Sequence, residues 1–185
     1  MEREFGKIKD GMDWKVDGGM LVISGLGVIP DCAEKAPWEE VRDSIQSIAV
    51  KRGVKEIGDF AFCDLPNLTV VKLHPDLERI GEGAFMKCPQ LKGITIPEGI
   101  SVIRAETFAF CDLLNRVEFP SQLKAIERGA FEGCFKLRNL VIPNSVESIG
   151  ERAFNGCPFD ESQFGDKQEN VQWVLDNDML KGIGK

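Results

Sequence analysis

Six cysteines and one histidine are the side chains of this 185-residue sequence with the chemistry to hold a metal, close a disulfide or attack a substrate. Four of them, Cys88, Cys111, Cys134 and Cys157, follow one another at intervals of 23 residues. If the chain repeats at that period, they stack in a column with every thiol pointing the same way. Zinc needs four ligands converging on a tetrahedron, which a column does not supply. Parallel Cβ vectors about 4.8 Å apart also miss the Cβ spacing a relaxed disulfide prefers. The column therefore reads as buried, reduced thiols that behave as small hydrophobes. Cys32 and Cys63 lie outside it, and the sequence does not place them relative to one another. An enzyme would have to pair Cys63 with His74 as nucleophile and base. Cys63 adjoins Phe62, a buried position, whereas His74 falls where a strand ends, so the two are expected on different sides of the molecule. No phosphate-binding loop, nucleophile elbow or metal-spaced cluster accompanies them. The reading is of a protein that is not an enzyme and has neither cofactor nor metal.

The elements that position these residues follow from the period itself. Phe62, Phe85, Phe108, Phe131 and Phe154 are each 23 residues apart, preceded by Ala61, Ala84, Thr107, Ala130 and Ala153. Ile57, Ile80, Ile103, Ile126 and Ile149 hold the same register five residues ahead of each Phe, and Leu68, Leu91, Leu114 and Leu137 six residues behind. Further apolar columns run through Val54, Leu77, Ile100, Leu123 and Val146 and through Ile48, Val71, Ile94, Val117 and Leu140. Each repeat contains one alternating stretch such as Ile94-Thr95-Ile96, the pattern of a half-buried strand. Pro97, Pro120 and Pro143 close it in three copies, because proline has no N–H to extend the ladder. The run from the Ile column to the Cys column favours a brief helical turn that sends each Phe inward.

A single repeat cannot bury its own apolar face, so the coils must stack into one continuous core. The predicted fold is a right-handed leucine-rich-type solenoid of five 23-residue coils over residues 46–159, with short parallel strands and short helical turns. Residues 1–45 form an N-terminal cap. Trp14 to Ile23 reads as a hairpin around Asp17-Gly18-Gly19, and Ala36 to Ile45 as a short helix with Trp38, Val41 and Ile45 on one face. Residues 160–185 form a C-terminal cap or open a further hairpin. There Trp173 to Leu180 copies the spacing of Trp14 to Leu21, although Val171, Leu175 and Met179 also fit a helix.

A net charge of -7 excludes nucleic acid as a partner, since that binding rests on clustered Lys and Arg neutralising phosphates. No segment reaches the 18 or so apolar residues of a membrane-spanning helix, so no membrane insertion is expected. The charged start, Met1-Glu2-Arg3-Glu4, lacks the apolar stretch of a secretory signal, and the compartment stays open.

Two surfaces are candidates for binding. With the Val71 and Ile94 column pointing inward, the outer sheet face carries Lys51, Lys72, His74, Arg116, Glu118 and Val141, with Lys92 and Arg138 on the adjoining edge. Its five cations against one carboxylate give a local balance of +4 on an acidic molecule, an asymmetry that attracts an acidic protein partner. A solvated face with accidental charge is the plainer reading. The alternative surface follows the turns, where Phe110, Leu113, Phe135 and Phe159 would form an apolar partner patch, or else pack between turns.

The repeat string Leu-x-x-Ile-x-Ile-Pro-x-x-Ile/Val-x-x-Ile-Gly-x-x-Ala-Phe-x-x-Cys-x-x-Leu resembles the BspA-like leucine-rich-repeat family, over about residues 45–159. The Trp14 to Asp31 stretch is similar to the element that precedes the first repeat there, and the second Trp hairpin to the element that opens a new block in longer relatives. Departures are Leu65 for Cys, Lys51 and His74 for the strand-closing Pro, and Arg104 and Glu127 for Gly. The family consists mostly of bacterial and protozoan surface proteins. The resemblance implies a non-catalytic protein-interaction or adhesion module, with a glycan-binding surface module as the alternative.

Overall fold

The computed structural model describes residues 4–8, 11–32, 35–138 and 140–158, and the backbone of 171–176 and 179–184. Glu4–Ile8 (β1) and Met12–Asp17 (β2) run antiparallel, and β2 pairs with Met20–Ser24 (β3) across the Gly18-Gly19 turn. The chain continues through Gly27–Ile29 (β4) and a 3-10 helix, Glu39–Ser44, into the first regular coil. Four successive coils then lay down two strands each. These are Ser47–Val50 (β5) and Val54–Ile57 (β6), then Val70–Lys72 (β7) and Arg79–Ile80 (β8). Gly93–Thr95 (β9) with Val102–Ile103 (β10), and Arg116–Glu118 (β11) with Ala125–Ile126 (β12), follow. Ser148–Ile149 (β13) is the one strand of the last coil among the described residues. Val171–Asp176 (β14) and Met179–Gly184 (β15) form an antiparallel hairpin, as the copied Trp spacing suggested.

Two rows of strands result where the sequence pointed to one. The first is a seven-stranded sheet in the order β1-β2-β3-β5-β7-β9-β11, parallel from β3 onward. The second row consists of β4-β6-β8 and β10-β12-β13, also parallel. It was hidden because its members are mostly two residues long, below the length at which alternation becomes a signal.

The solenoid has six turns, which corrects the five expected. β3 pairs with β5 in the register Leu21↔Ile48 and β4 with β6 in the register Ile29↔Ile57. Trp38 lies on Phe62 with ring centroids 5.2 Å apart. A first, irregular coil is therefore built from β3, β4 and the 3-10 helix. It escaped the periodicity because it has Trp in place of Phe and a longer repeat. Beyond it the rings of Phe62, Phe85, Phe108, Phe131 and Phe154 stack at 5.3 to 5.6 Å, none more than 5% exposed. Offset stacking at this separation is a favoured arrangement for aromatic pairs.

The helical turns expected before the Cys column are instead tight turns. Two columns per coil have positive φ: Phe60, Gly83, Glu106, Gly129 and Arg152 near +55° to +61°, then Asp64, Lys87, Phe110, Gly133 and Gly156 near +56° to +79°. Left-handed residues four positions apart end any α-helix between them. Six of these ten are not glycine, each at some steric cost. The coil-to-coil backbone ladder holds them there. Phe62 N–H donates to Ala84 O at 2.8 Å, Phe85 N–H to Thr107 O at 2.9 Å, Phe108 N–H to Ala130 O at 2.8 Å and Phe131 N–H to Ala153 O at 2.7 Å.

Candidate functional site

On the sheet face, residues of successive coils stand beside one another in rows. One row runs Met20, Ser47, Val70, Gly93, Arg116; the next begins Phe5, Lys15, Val22, Ala49, Lys72 and continues through Thr95 and Glu118, with Phe5 81% exposed at the β1 edge. The alternation that buries Ile48, Val71, Ile94 and Val117 turns these toward the outer face, where Ala49 is nevertheless covered by its neighbours. Lys51, Lys72, Lys92, Arg116, Glu118, Arg138 and Val141 are all exposed, Val141 by 82%. Met20 and Val70, which the sequence reading did not single out, are 41% and 45% exposed on the same face. Strand alternation would have found Val70. Met20 became visible only once β3 joined the sheet.

His74 does not belong to this face, and its assignment there is corrected. It is 7% exposed, with Nε2–H donating to Val54 O at 2.8 Å and Nδ1 accepting the N–H of Asp76 at 3.2 Å. The ring takes the place of the strand-closing proline and turns inward to satisfy a carbonyl of the preceding coil, because a buried carbonyl left unpaired is costly.

Charge pairing divides the surface. Lys7, Lys35, Arg42, Arg52, Lys55, Arg79, Arg116, Lys124, Arg128 and Arg152 each have a carboxylate partner. Several of these pairs bridge adjacent coils, such as Lys124 to Glu147 at 2.8 Å. Lys51, Lys72, Lys92 and Arg138 have no such partner among the described residues. Arg116 pairs with Glu118, which also accepts from Thr95 Oγ1 at 2.6 Å. The Thr95 hydroxyl first, and then Arg116, hold the Glu118 carboxyl below its ordinary value.

The turn side brings Phe110 and Phe135 to the surface, 43% and 55% exposed, while Leu113 is half-buried. Phe159 lies outside the described residues. Both exposed rings rest on glycines of the following coil. A Cβ on Gly133 would come within 2.7 Å of the Phe110 ring, and one on Gly156 within 3.3 Å of the Phe135 ring. Phe60 covers Gly83 in the same way, at 2.4 Å. Packing between turns thus accounts for one side of each ring.

Cys88, Cys111 and Cys134 are buried as expected, whereas Cys157, in the last coil, is only half-buried because no further coil is described over it. Cys88, Cys111, Cys134 and Cys157 each donate the thiol hydrogen to the carbonyl of Phe62, Phe85, Phe108 and Phe131 respectively, at 3.2 Å in every case. These are the carbonyls of the Phe column one coil back. Burial pushes the Cys111 thiol up to about 12 and those of Cys88 and Cys134 well above the ordinary value. All six cysteines are free. Burial also raises Cys63, and the hydrogen bonds of His74 commit both its ring nitrogens, so the pair lacks an activated thiolate and an available base. Among the described residues no group of three or more His, Cys, Asp or Glu is arranged to hold a metal, and no helix is long and apolar enough to cross a membrane.

Comparison with curated protein sequences finds no match. Among solved structures, the fold is similar to a leucine-rich repeat protein from Eubacterium ventriosum at 20% identity and TM-score 0.56, covering 98% of this chain and 49% of that one. It is similar to a leucine rich cell surface protein from Faecalibacterium prausnitzii at 21% identity and TM-score 0.51, covering 94% and 59%. The pneumococcal vaccine antigen PcpA matches at 19% identity and TM-score 0.56, covering 92% and 52%. The chain therefore spans about half the length of these proteins, and the likeness is one of fold. The family model of the BspA type leucine rich repeat region matches residues 40–160 in six copies, and with its stacked Phe and Cys columns this chain belongs to that family.

Proposed function

We propose that the chain is a non-catalytic protein-interaction module whose partner sits on the sheet face. The observation that carries this is the pairing pattern. Cations elsewhere are mostly matched to carboxylates within the chain, while the sheet face and its edge keep Lys51, Lys72, Lys92 and Arg138 unmatched beside exposed Val70 and Val141. An unmatched charge next to exposed apolar surface is what a complementary partner satisfies. Rigid solenoids suit this role, since their surface side chains vary independently of the core columns. The turn face is the weaker reading, because its aromatic rings already pack on Gly133 and Gly156. A glycan partner is weaker too, since the exposed aromatic ring of the sheet-face rows among the described residues, Phe5, stands at the far β1 edge of the sheet, three strands or more from Lys51 and Lys72.

The test is cross-linked capture of partners from the native environment with three proteins. They are the unaltered chain, Thr95→Trp, which blocks the face by bulk without changing charge, and the double variant Phe110→Ser with Phe135→Ser. Loss of the captured partner with Thr95→Trp alone is the expected result. Loss with the turn variant alone would move the site to the turns, and substrate turnover abolished by Cys63→Ala would replace binding with catalysis.

A further inference from the structure

The unmatched cations are not scattered over the sheet face. Of the described cations with no carboxylate partner, Lys15, Lys51, Lys72, Lys92 and Arg138 lie on this face or its edge, and Lys87, Arg104 and Lys136 lie elsewhere. Lys51 directly follows β5 in the first regular coil, and Lys72 sits two positions earlier in the next. Lys92 precedes the strand of the third coil, Arg116 begins that of the fourth, and Arg138 holds the position equivalent to Lys92, 46 residues on, in the fifth, which has no described strand in this sheet. From Lys51 to Lys92 the charge shifts by five residues of about 3.3 Å along the strands over two coil spacings of about 4.8 Å, and from Lys92 to Arg138 it crosses two more almost without shift. The result is a diagonal stripe on the order of 25 Å long, with neighbouring charges roughly 6 to 11 Å apart.

Its surroundings define what it would accept. Small and apolar residues flank it, half-buried Val22 and Gly93 and exposed Val70. On the N-terminal side β2 presents exposed Asp13 and Asp17, which close the positive region. An extended polypeptide with a carboxylate at every second residue repeats its charge at about 6.6 Å, and about eight residues span the stripe. Its intervening side chains would meet the apolar positions.

We infer that the stripe from Lys51 to Arg138 is a docking track for an acidic, extended segment of a partner protein, laid diagonally across the coils. This rests on the sheet face being the binding surface. Arg116, already paired with Glu118, contributes least; Lys72 and Arg138 are free to contribute most.

The test uses the full chain and a fluorescein-labelled ten-residue peptide of alternating glutamate and valine, followed by anisotropy, with a glutamine–valine peptide as the neutral control. The expected result is affinity for the acidic peptide at least tenfold above the control, falling at least tenfold between low and high salt, as screening of several ion pairs requires. Lys72→Glu with Arg138→Glu should weaken it at least tenfold. Lys87→Glu with Lys136→Glu, equal in charge but off the stripe, should change it less than threefold, and circular dichroism checks that each variant is folded. Equal binding of both peptides, no binding of either, or equal loss from both double variants would overturn the inference. So would binding of a sulfated oligosaccharide in place of the peptide. If Thr95→Trp abolishes capture of the natural partner while charge reversal on the stripe leaves capture intact, the face is right and the acidic segment is wrong.

Discussion

The two long sides of this solenoid solve opposite problems. On the turn side, the buried polar groups and the strained backbone are answered from within the chain. Thiols of the Cys column meet carbonyls of the Phe column, left-handed residues are held by coil-to-coil hydrogen bonds, and Phe110 and Phe135 rest on glycines. On the strand side, backbone pairing is just as regular, yet Lys51, Lys72, Lys92 and Arg138 have no carboxylate partner among the described residues. One side is consumed by stability and the other is left available. Altering the turn side should therefore change folding, and altering the strand side should change binding.

The strongest test of that contrast is Phe108→Ala. Removing a ring stacked between Phe85 and Phe131 should cost about 3 to 5 kcal/mol of unfolding free energy in urea, and a loss under 1 kcal/mol would break the picture of a continuous aromatic core. Gly150→Ala comes next. Its new Cβ would lie 2.4 Å from the backbone nitrogen of Arg128 and 2.6 Å from the carbonyl carbon of Glu127. The resulting backbone shift should cost about 1 to 3 kcal/mol by the same measurement. The same column carries side chains at Arg104 and Glu127, where the Glu127 carboxylate turns back to accept the N–H of Ala105 at 2.9 Å. A harmless Gly150→Ala would mean the last coil can make that adjustment as well.

Alkali sharpens the comparison through the thiols. Cys111 is held at about 12 when folded, against an ordinary value of 9.0, so the unfolded chain releases its proton first. The stabilisation is complete below pH 9 and is lost as pH rises toward 12. Over that window each buried thiol should contribute a decline of about 1.4 kcal/mol per pH unit. Chemical unfolding at pH 8, 9 and 10 should show a shallower decline for Cys111→Ala than for the unaltered chain, and identical slopes would count against burial of that thiol. Lys72→Gln should have the smallest effect on folding, within about 0.5 kcal/mol, as expected for an exposed side chain with no partner. A larger loss would show that the strand side carries stability after all.

The period of 23 residues was legible because it is written in side chains that can only be buried: Phe, Ile and Leu recurring in phase specify which face turns inward, and stacking follows from the need to cover it. The Cys column could be placed for the same reason, and so could Lys51, Lys72 and Arg116 on the outer face, because strand alternation leaves no other choice. The first coil, with Trp38 in the Phe position and an enlarged repeat, became recognisable only when its ring was found on Phe62. Three-dimensional packing alone decided the fate of His74, whose column suggested exposure but whose ring turns in to hydrogen-bond the carbonyl of Val54. It also decided the left-handed turns, since Phe60, Glu106 and Phe110 are not residues that announce positive φ; there the ladder to the next coil outweighs local preference. Which cations stay unmatched is likewise a property of neighbouring coils. Periodicity in the sequence fixes what lies inside, whereas pairing across coils is settled by distances between residues 20 or more apart, which no local pattern encodes.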